Sequence, residues 1–144
     1  MGKWDINSNK NKRLTKKIKK PTRKNLIKKL DTVFSIYIRL SNANNKGFCN
    51  CFTCGKSLHW KKIQAGHFMS RKHYSTRWDE NNVKPQCSSC NVFRYGEQYI
   101  FSKNLGTELS EKMLELSREI VKFTDIDLQE MIKKYSDKIK KLEV

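Results

Sequence analysis

With 144 residues, 37% of them hydrophobic and 31% charged, the chain is long enough for one compact domain with a tail. It is lean in core-forming side chains, as are small domains that lean on a metal or on cross-links. Its net charge of +17 and pI near 9.8 point to a polyanionic partner, nucleic acid ahead of an anionic membrane surface. No apolar run approaches the roughly 20 residues that span a bilayer, and no signal-peptide core follows the basic start, so the expected location is the cytosol. Thiols stay reduced there, and paired cysteines bind metal more often than each other.

Residues 1–21 are Lys-rich and poor in apolar side chains, which predicts a solvated, disordered basic arm that tracks phosphates by charge alone. Lys16, Lys17, Lys19, Lys20 and the adjoining Arg23 are its candidate DNA contacts. Through residue 30 there are twelve Lys and Arg against Asp5, so most of the excess charge sits here. Pro21 and Thr22 then open a helix over 22–41, with Leu26, Leu30, Val33, Phe34, Tyr37 and Ile38 on its packing face. "NANNKG" predicts a turn. Short strands are expected around Ile63–Phe68 and Val83–Gln86, with a loop between them. A helix should begin near Asn91 and run through "VFRYGEQYIFSKNL". Two C-terminal helices should break near Thr124. One carries Leu109, Met113, Leu116 and Ile120; the other carries Ile126, Leu128, Met131, Ile132, Tyr135, Ile139 and Leu142. The expected class is α+β, divided as arm 1–21, helix plus cysteine-bearing domain 22–106, and helical extension 107–144. That extension can pair two copies into a homodimer.

Cys51-x-x-Cys54 and Cys87-x-x-Cys90 present two thiol pairs from tight knuckles, a tetrahedral four-cysteine shell suited to structural zinc. Iron of the rubredoxin type, a redox CxxC and two disulfides are the alternatives, and no thioredoxin-like pattern surrounds either pair. Cys49 is left over and competes with Cys51 as a ligand. Metal-dependent folding is expected. His59 and Trp60 follow the first knuckle and are expected to cover it.

His67, in "AGHF", precedes Asn82 and Asn91, giving an ordered His–Asn–Asn set interleaved with the cysteines. This set and "NNVKPQCSSCN" resemble the HNH nuclease module over about residues 49–95, a ββα-metal unit pinned by two knuckles. A longer series, "TRKNLIKKLDTVFSIYIRL", "CFTCGK", "AGHF", "TRWDE", "QC..CN" and "YGEQY", resembles the phage NinG (Rap) recombination proteins over about residues 22–105. That resemblance implies a structure-selective endonuclease acting on branched DNA, such as Holliday junctions or D-loops, in phage recombination inside a bacterial host cell.

A neutral imidazole with a pKa near 7 suits the base that activates water against a phosphodiester. The HNH resemblance assigns that role to His67. Asn82, with Asn81 as its register competitor, would orient the strand or His67. Asn91 would be an oxygen ligand for Mg²⁺ or another divalent ion; otherwise it caps a helix. Many HNH members carry an acidic or His ligand just before the catalytic His, where this chain has Gly66. Asp79, Glu80, His73 or Gln64 could substitute, with Asp79 favoured. Arg71, Lys72 and Arg77 are candidate phosphate contacts. Tyr74 and Trp78 either stack on bases or pack under the loop, and packing is the stronger expectation. Nothing here reads base edges, so recognition of DNA shape and backbone is expected. The rival reading is a zinc-stapled module that binds branched or single-stranded DNA without cutting it. A third, a zinc protein that docks other proteins through its C-terminal helices, leaves the charge unexplained.

Overall fold

The computed structural model describes residues 17–143. The proposed contact Lys16 and most of the arm lie outside them. Helix α1 (Arg23–Ser41) starts where expected because the Thr22 hydroxyl accepts from the Asn25 N–H at 3.3 Å. It buries Leu26, Leu30, Phe34 and Ile38, four positions repeating every fourth residue. After the turn come two small antiparallel sheets. Strands β1 (Phe48–Asn50) and β2 (Ser57–His59) pair Cys49 with Leu58, a hairpin that the short polar run around the first knuckle conceals from periodicity. Strands β3 (Gln64–His67) and β4 (Val83–Gln86) pair His67 with Val83. A one-turn helix, α2 (Tyr74–Arg77), lies in the loop between them.

The expected helix from Asn91 to Leu105 is not continuous. A single π-helical turn covers Ser89–Phe93, and α3 (Gln98–Leu105) begins only after a break. Tyr95, Gly96 and Glu97 take successive left-handed conformations there, which no right-handed helix passes through. Helix α4 (Thr107–Ser117) follows Gly106. It ends before Ile120, which is therefore exposed rather than part of the packing stripe. Helix α5 (Asp125–Leu142) begins at Thr124 in a capping box with Asp127, and buries Leu128 and Tyr135 while Ile126 and Leu142 stay largely exposed.

Two cores result. In the first, α5 packs on α1, with the Phe34 and Tyr135 rings edge to face at 4.9 Å, and Trp78 and Val83 complete the cluster. The second contains Cys49, Cys51, Ile63, Cys87 and Cys90, partly covered by Leu58 and Trp60. Strand β3 runs between them: Ile63, just before it, joins the cysteine core, while Ala65 packs against the helical one. No helix among the described residues is long and apolar enough to cross a membrane.

Candidate active-site cleft and cysteine cluster

Two tight turns bring the thiols together. Cys51 N–H donates to the Lys56 carbonyl at 2.8 Å, and Gly55 N–H returns to the Cys51 carbonyl at 2.9 Å with φ +79. After β4, Asn91 N–H donates to the Cys87 carbonyl at 2.9 Å. The sulfurs of Cys51, Cys54, Cys87 and Cys90 lie within 4.8 Å of one another, and those of Cys54 and Cys87 are 3.7 Å apart. A tetrahedron with zinc–sulfur bonds of about 2.3 Å has edges of about 3.8 Å, so the cluster fits a structural metal such as zinc. Cys49 is buried beside the cluster but is not one of the four. Burial pushes the Cys51 thiol up, but hydrogen bonds from Thr53 and from backbone N–H groups outweigh it and bring that thiol down to about 6. Burial, reinforced by the neighbouring cysteines, pushes Cys90 up to about 12. Four thiolates at this spacing repel one another, and a divalent cation at their centre removes the conflict.

A cleft of about 350 Å³ opens between α1 and β3. His67 and Asn91 line it together, with Gln64, Arg71 and, from α1, Asp31, Ser35 and Arg39. His67 Nε2 lies 2.9 Å from the Arg77 carbonyl oxygen. A carbonyl only accepts, so Nε2 carries the proton and Nδ1 keeps its lone pair. Burial, with the positive charges of Arg71 and Arg77 adding to it, lowers the His67 pKa despite that hydrogen bond and Asp31, which raise it. The imidazole is therefore neutral at physiological pH.

Asn82 is fully buried and makes no hydrogen bond to the His67 ring. Its Oδ1 accepts from Met69 N–H at 2.7 Å, and its Nδ2 donates to the Met69 and Thr76 carbonyls, both at 3.0 Å. It closes the loop whose next carbonyl, that of Arg77, holds the imidazole. Asn91 Nδ2 donates to Gln64 Oε1 at 2.9 Å from within the π-helical turn. It is not a helix cap, because Ser88 takes that place. Asp79 is not in the cleft. It accepts from Asn81 N–H at 2.8 Å and lines a separate cavity with Tyr74, Trp78 and Tyr135. Glu80 lines that same cavity and is held by Tyr37, Tyr135 and Lys138, while His73 precedes α2. Of the substitutes considered for Gly66, Gln64 alone reaches the cleft. Gly66 itself is buried, and a Cβ there would collide with Gln86 Oε1, so no ligand side chain fits at that position.

The α1 wall was missed by sequence reasoning. Asp31, Ser35 and Arg39 recur every four residues beside the apolar stripe, and this polar stripe with its single acid was the available signal. Asp31 binds Arg77 with two bonds of 3.0 and 2.6 Å and accepts from the Trp78 indole at 3.0 Å. The Arg77 pKa is raised, chiefly by that hydrogen bonding to Asp31. Arg77, expected as a phosphate contact, is thus tied to the α1 wall by Asp31 and donates to the Arg71 carbonyl at 2.9 Å. Trp78 is buried core and Tyr74 packs against that core, as expected.

A family model described as Bacteriophage Lambda NinG protein matches residues 3–144. The chain belongs to the NinG family. Membership implies a role related to phage recombination. No curated protein and no solved structure matches the chain. Of the DNA contacts expected in this NinG-family chain, Lys17, Lys19, Lys20, Arg71 and Lys72 are exposed. Arg23 is exposed but paired with Asp125 at 3.2 Å.

Proposed function

We propose that this NinG-family protein is a metal-dependent endonuclease that cuts branched DNA intermediates of phage recombination, with His67 as general base. The carrying observation is the imidazole held neutral by burial, tied through Nε2 to the Arg77 carbonyl, and sharing a cleft with Asn91 and Arg71. Strand β3, the loop leading into β4 and the turn at Ser89–Phe93 carry the His, the middle Asn and the last Asn in the order of an HNH-like ββα unit, which the cysteine cluster, loaded with zinc, would pin.

Each residue then has a distinct task. His67 Nδ1 takes a proton from the attacking water. Asn82 holds the loop that orients His67. Arg71, and Arg39 from α1, place positive charge on the scissile phosphate. Asn91 Oδ1 would be the chain's own ligand for a divalent ion, which would offset charge on the phosphoryl oxygens. Among the described residues Asp31 is the one carboxylate lining the cleft, and Arg77 and Trp78 occupy it. The remaining oxygen donors of the lining are neutral amides and a hydroxyl, so the chain itself would offer a divalent ion few charged ligands. Two active sites suit symmetric cutting of a junction, which makes a homodimer part of the proposal.

The same scarcity of carboxylates, together with the closed space at Gly66, favours a second reading: a zinc-stapled module that binds branched DNA without cutting. A labelled synthetic four-way junction beside a matched linear duplex, each with or without added Mg²⁺ and neither with chelator, separates them. The endonuclease nicks the junction near its branch in Mg²⁺ alone, and His67→Ala lowers the rate about 10²-fold or more while junction binding persists. Tight binding without nicking under any divalent ion establishes the second reading. Nicking that survives His67→Ala removes the proposed base.

A further inference from the structure

The segment after the second cysteine pair holds large rings out into solvent. Phe93 is 77% exposed, Tyr95 90% and Tyr99 77%. The backbone beneath them is unusual. Tyr95 (φ 54), Gly96 (φ 86) and Glu97 (φ 47) occupy the left-handed region in succession, where non-glycine residues are strained and which recurs at binding and catalytic sites.

This turn is anchored from inside. Gly96 is buried, its N–H donates to the Cys90 carbonyl at 2.8 Å, and its carbonyl accepts from Gln86 Nε2 at 2.9 Å. Gln86 is fully buried and also donates to Thr53 Oγ1 at 3.1 Å, which ties the turn to both cysteine pairs. A rigid scaffold thus presents apolar rings to water, the arrangement of an interaction surface.

Charge and position identify the occupant. Arg94 is exposed between Phe93 and Tyr95, and the Lys103 ammonium lies 5.8 Å from the Tyr99 ring centre. Asn91, which lines the His67 cleft, precedes Phe93 by two residues, so their Cα atoms are no more than about 7 Å apart. We infer that Phe93, Tyr95 and Tyr99 are a stacking surface for unpaired nucleobases of DNA beside the cleft. Rings interleaved with cations are the recurring solution for single-stranded nucleic acid: rings hold bases, and cations hold phosphates. A protein partner would also cover the rings, but the net charge of +17 and the flanking Arg94 and Lys103 favour a polynucleotide. The inference rests on the endonuclease reading only in assigning the neighbouring cleft to cleavage. It explains how a site that reads no base edges can prefer a branch.

The test measures binding, not cutting. A splayed fork carries 2-aminopurine at its first unpaired position, and a matched linear duplex is the control, both without added Mg²⁺ and without chelator, so that the cysteine cluster keeps its metal. The unsubstituted protein is expected to quench the probe on binding the fork. Phe93→Ala/Tyr99→Ala is expected to abolish quenching and weaken fork binding about tenfold or more, leaving duplex affinity unchanged. Tyr95→Phe should behave as the unsubstituted protein. Tyr95→Asn should resemble the double variant, because asparagine tolerates the left-handed backbone but lacks the ring. Circular dichroism and bound-metal content confirm that each variant is folded. Equal losses on fork and duplex, or no loss on either, overturn the inference; the latter would assign the rings to a protein partner. A protein that never cuts DNA, yet shows the expected quenching, keeps the inference and loses the endonuclease reading.

Discussion

The two cores of this protein are held by different physics. The helical core joins α1 to α5 through Leu26, Leu30, Phe34, Ile38, Leu128 and Tyr135, with Trp78 and Val83 from the loop and β4. Burial of such side chains removes enough apolar surface from water to stabilise it directly. The cysteine core has one fully buried non-cysteine apolar residue, Ile63. Its strands are three or four residues long and pair only in twos, too little to persist alone. One half folds by hydrophobic burial, whereas the other has little apolar surface to bury and instead gathers four thiols at metal-binding distance. The proposed catalytic strand β3 lies at their border, so His67 depends on both.

Removing the metal should break the comparison most sharply. Structural zinc contributes on the order of 10 kcal/mol to small domains. Chelation, or Cys87→Ser, should therefore strip hydrogen-exchange protection from β1–β4 while α1 and α5 keep theirs. Uniform loss would show that the helical core cannot stand without the cysteine half. Phe34→Ala attacks the other side. It removes a ring that is 1% exposed and touches Tyr135, and should cost about 3–5 kcal/mol by denaturant unfolding, with the metal affinity of the cysteines little changed.

Asn82→Ala tests the link between the halves. It leaves the Met69 N–H and the Met69 and Thr76 carbonyls without their side-chain partner, at a cost of about 1–3 kcal/mol. DNA cleavage should fall further than stability does, because the loop that holds His67 loosens. Equal falls would mean that the loop merely fills space.

The smallest expected effect is that of pH. Burial lowers the His67 pKa in the folded protein below its ordinary 6.5. Above about 6.5 the imidazole is neutral in both folded and unfolded chains, and its contribution is constant. As pH falls below 6.5 the unfolded chain takes up the proton first, so stability declines until the folded pKa is passed. Cleavage by a neutral base should accordingly hold its plateau to below pH 6.5, while His67→Gln should flatten this limb of the stability profile. A plateau that ends above pH 6.5 would show an imidazole more open to solvent than the fold implies.

Much of the molecule was legible because it is local. The fourfold repeat of Leu26, Leu30, Phe34 and Ile38 announces α1, Thr22 and Thr124 mark helix starts, and the C-x-x-C spacing alone makes each thiol pair. The order His67, Asn82, Asn91 also suggested a shared site, and His67 and Asn91 do line one cleft. Asp79 lines a different cavity from His67, because proximity along the chain does not say which side of a loop a carboxylate faces. The helix read through Gly96 misled because apolar periodicity is blind to a turn held by a buried amide from β4.

The sequence by itself determined the long helices α1 and α5, the paired thiols of each C-x-x-C and the basic character, since each follows from residues a few positions apart or from composition. Only the tertiary structure decided the cleft. Asp31 meets Arg77 across 46 residues of chain, which ties that guanidinium to the α1 wall of the cleft. The Arg77 carbonyl meets His67 across ten, which fixes the tautomer. Gln86 closes the space at Gly66 and carries the turn at Tyr95. Contacts between distant segments form only when the two cores pack, and no local pattern encodes which charges that packing will neutralise and which it will leave facing the solvent.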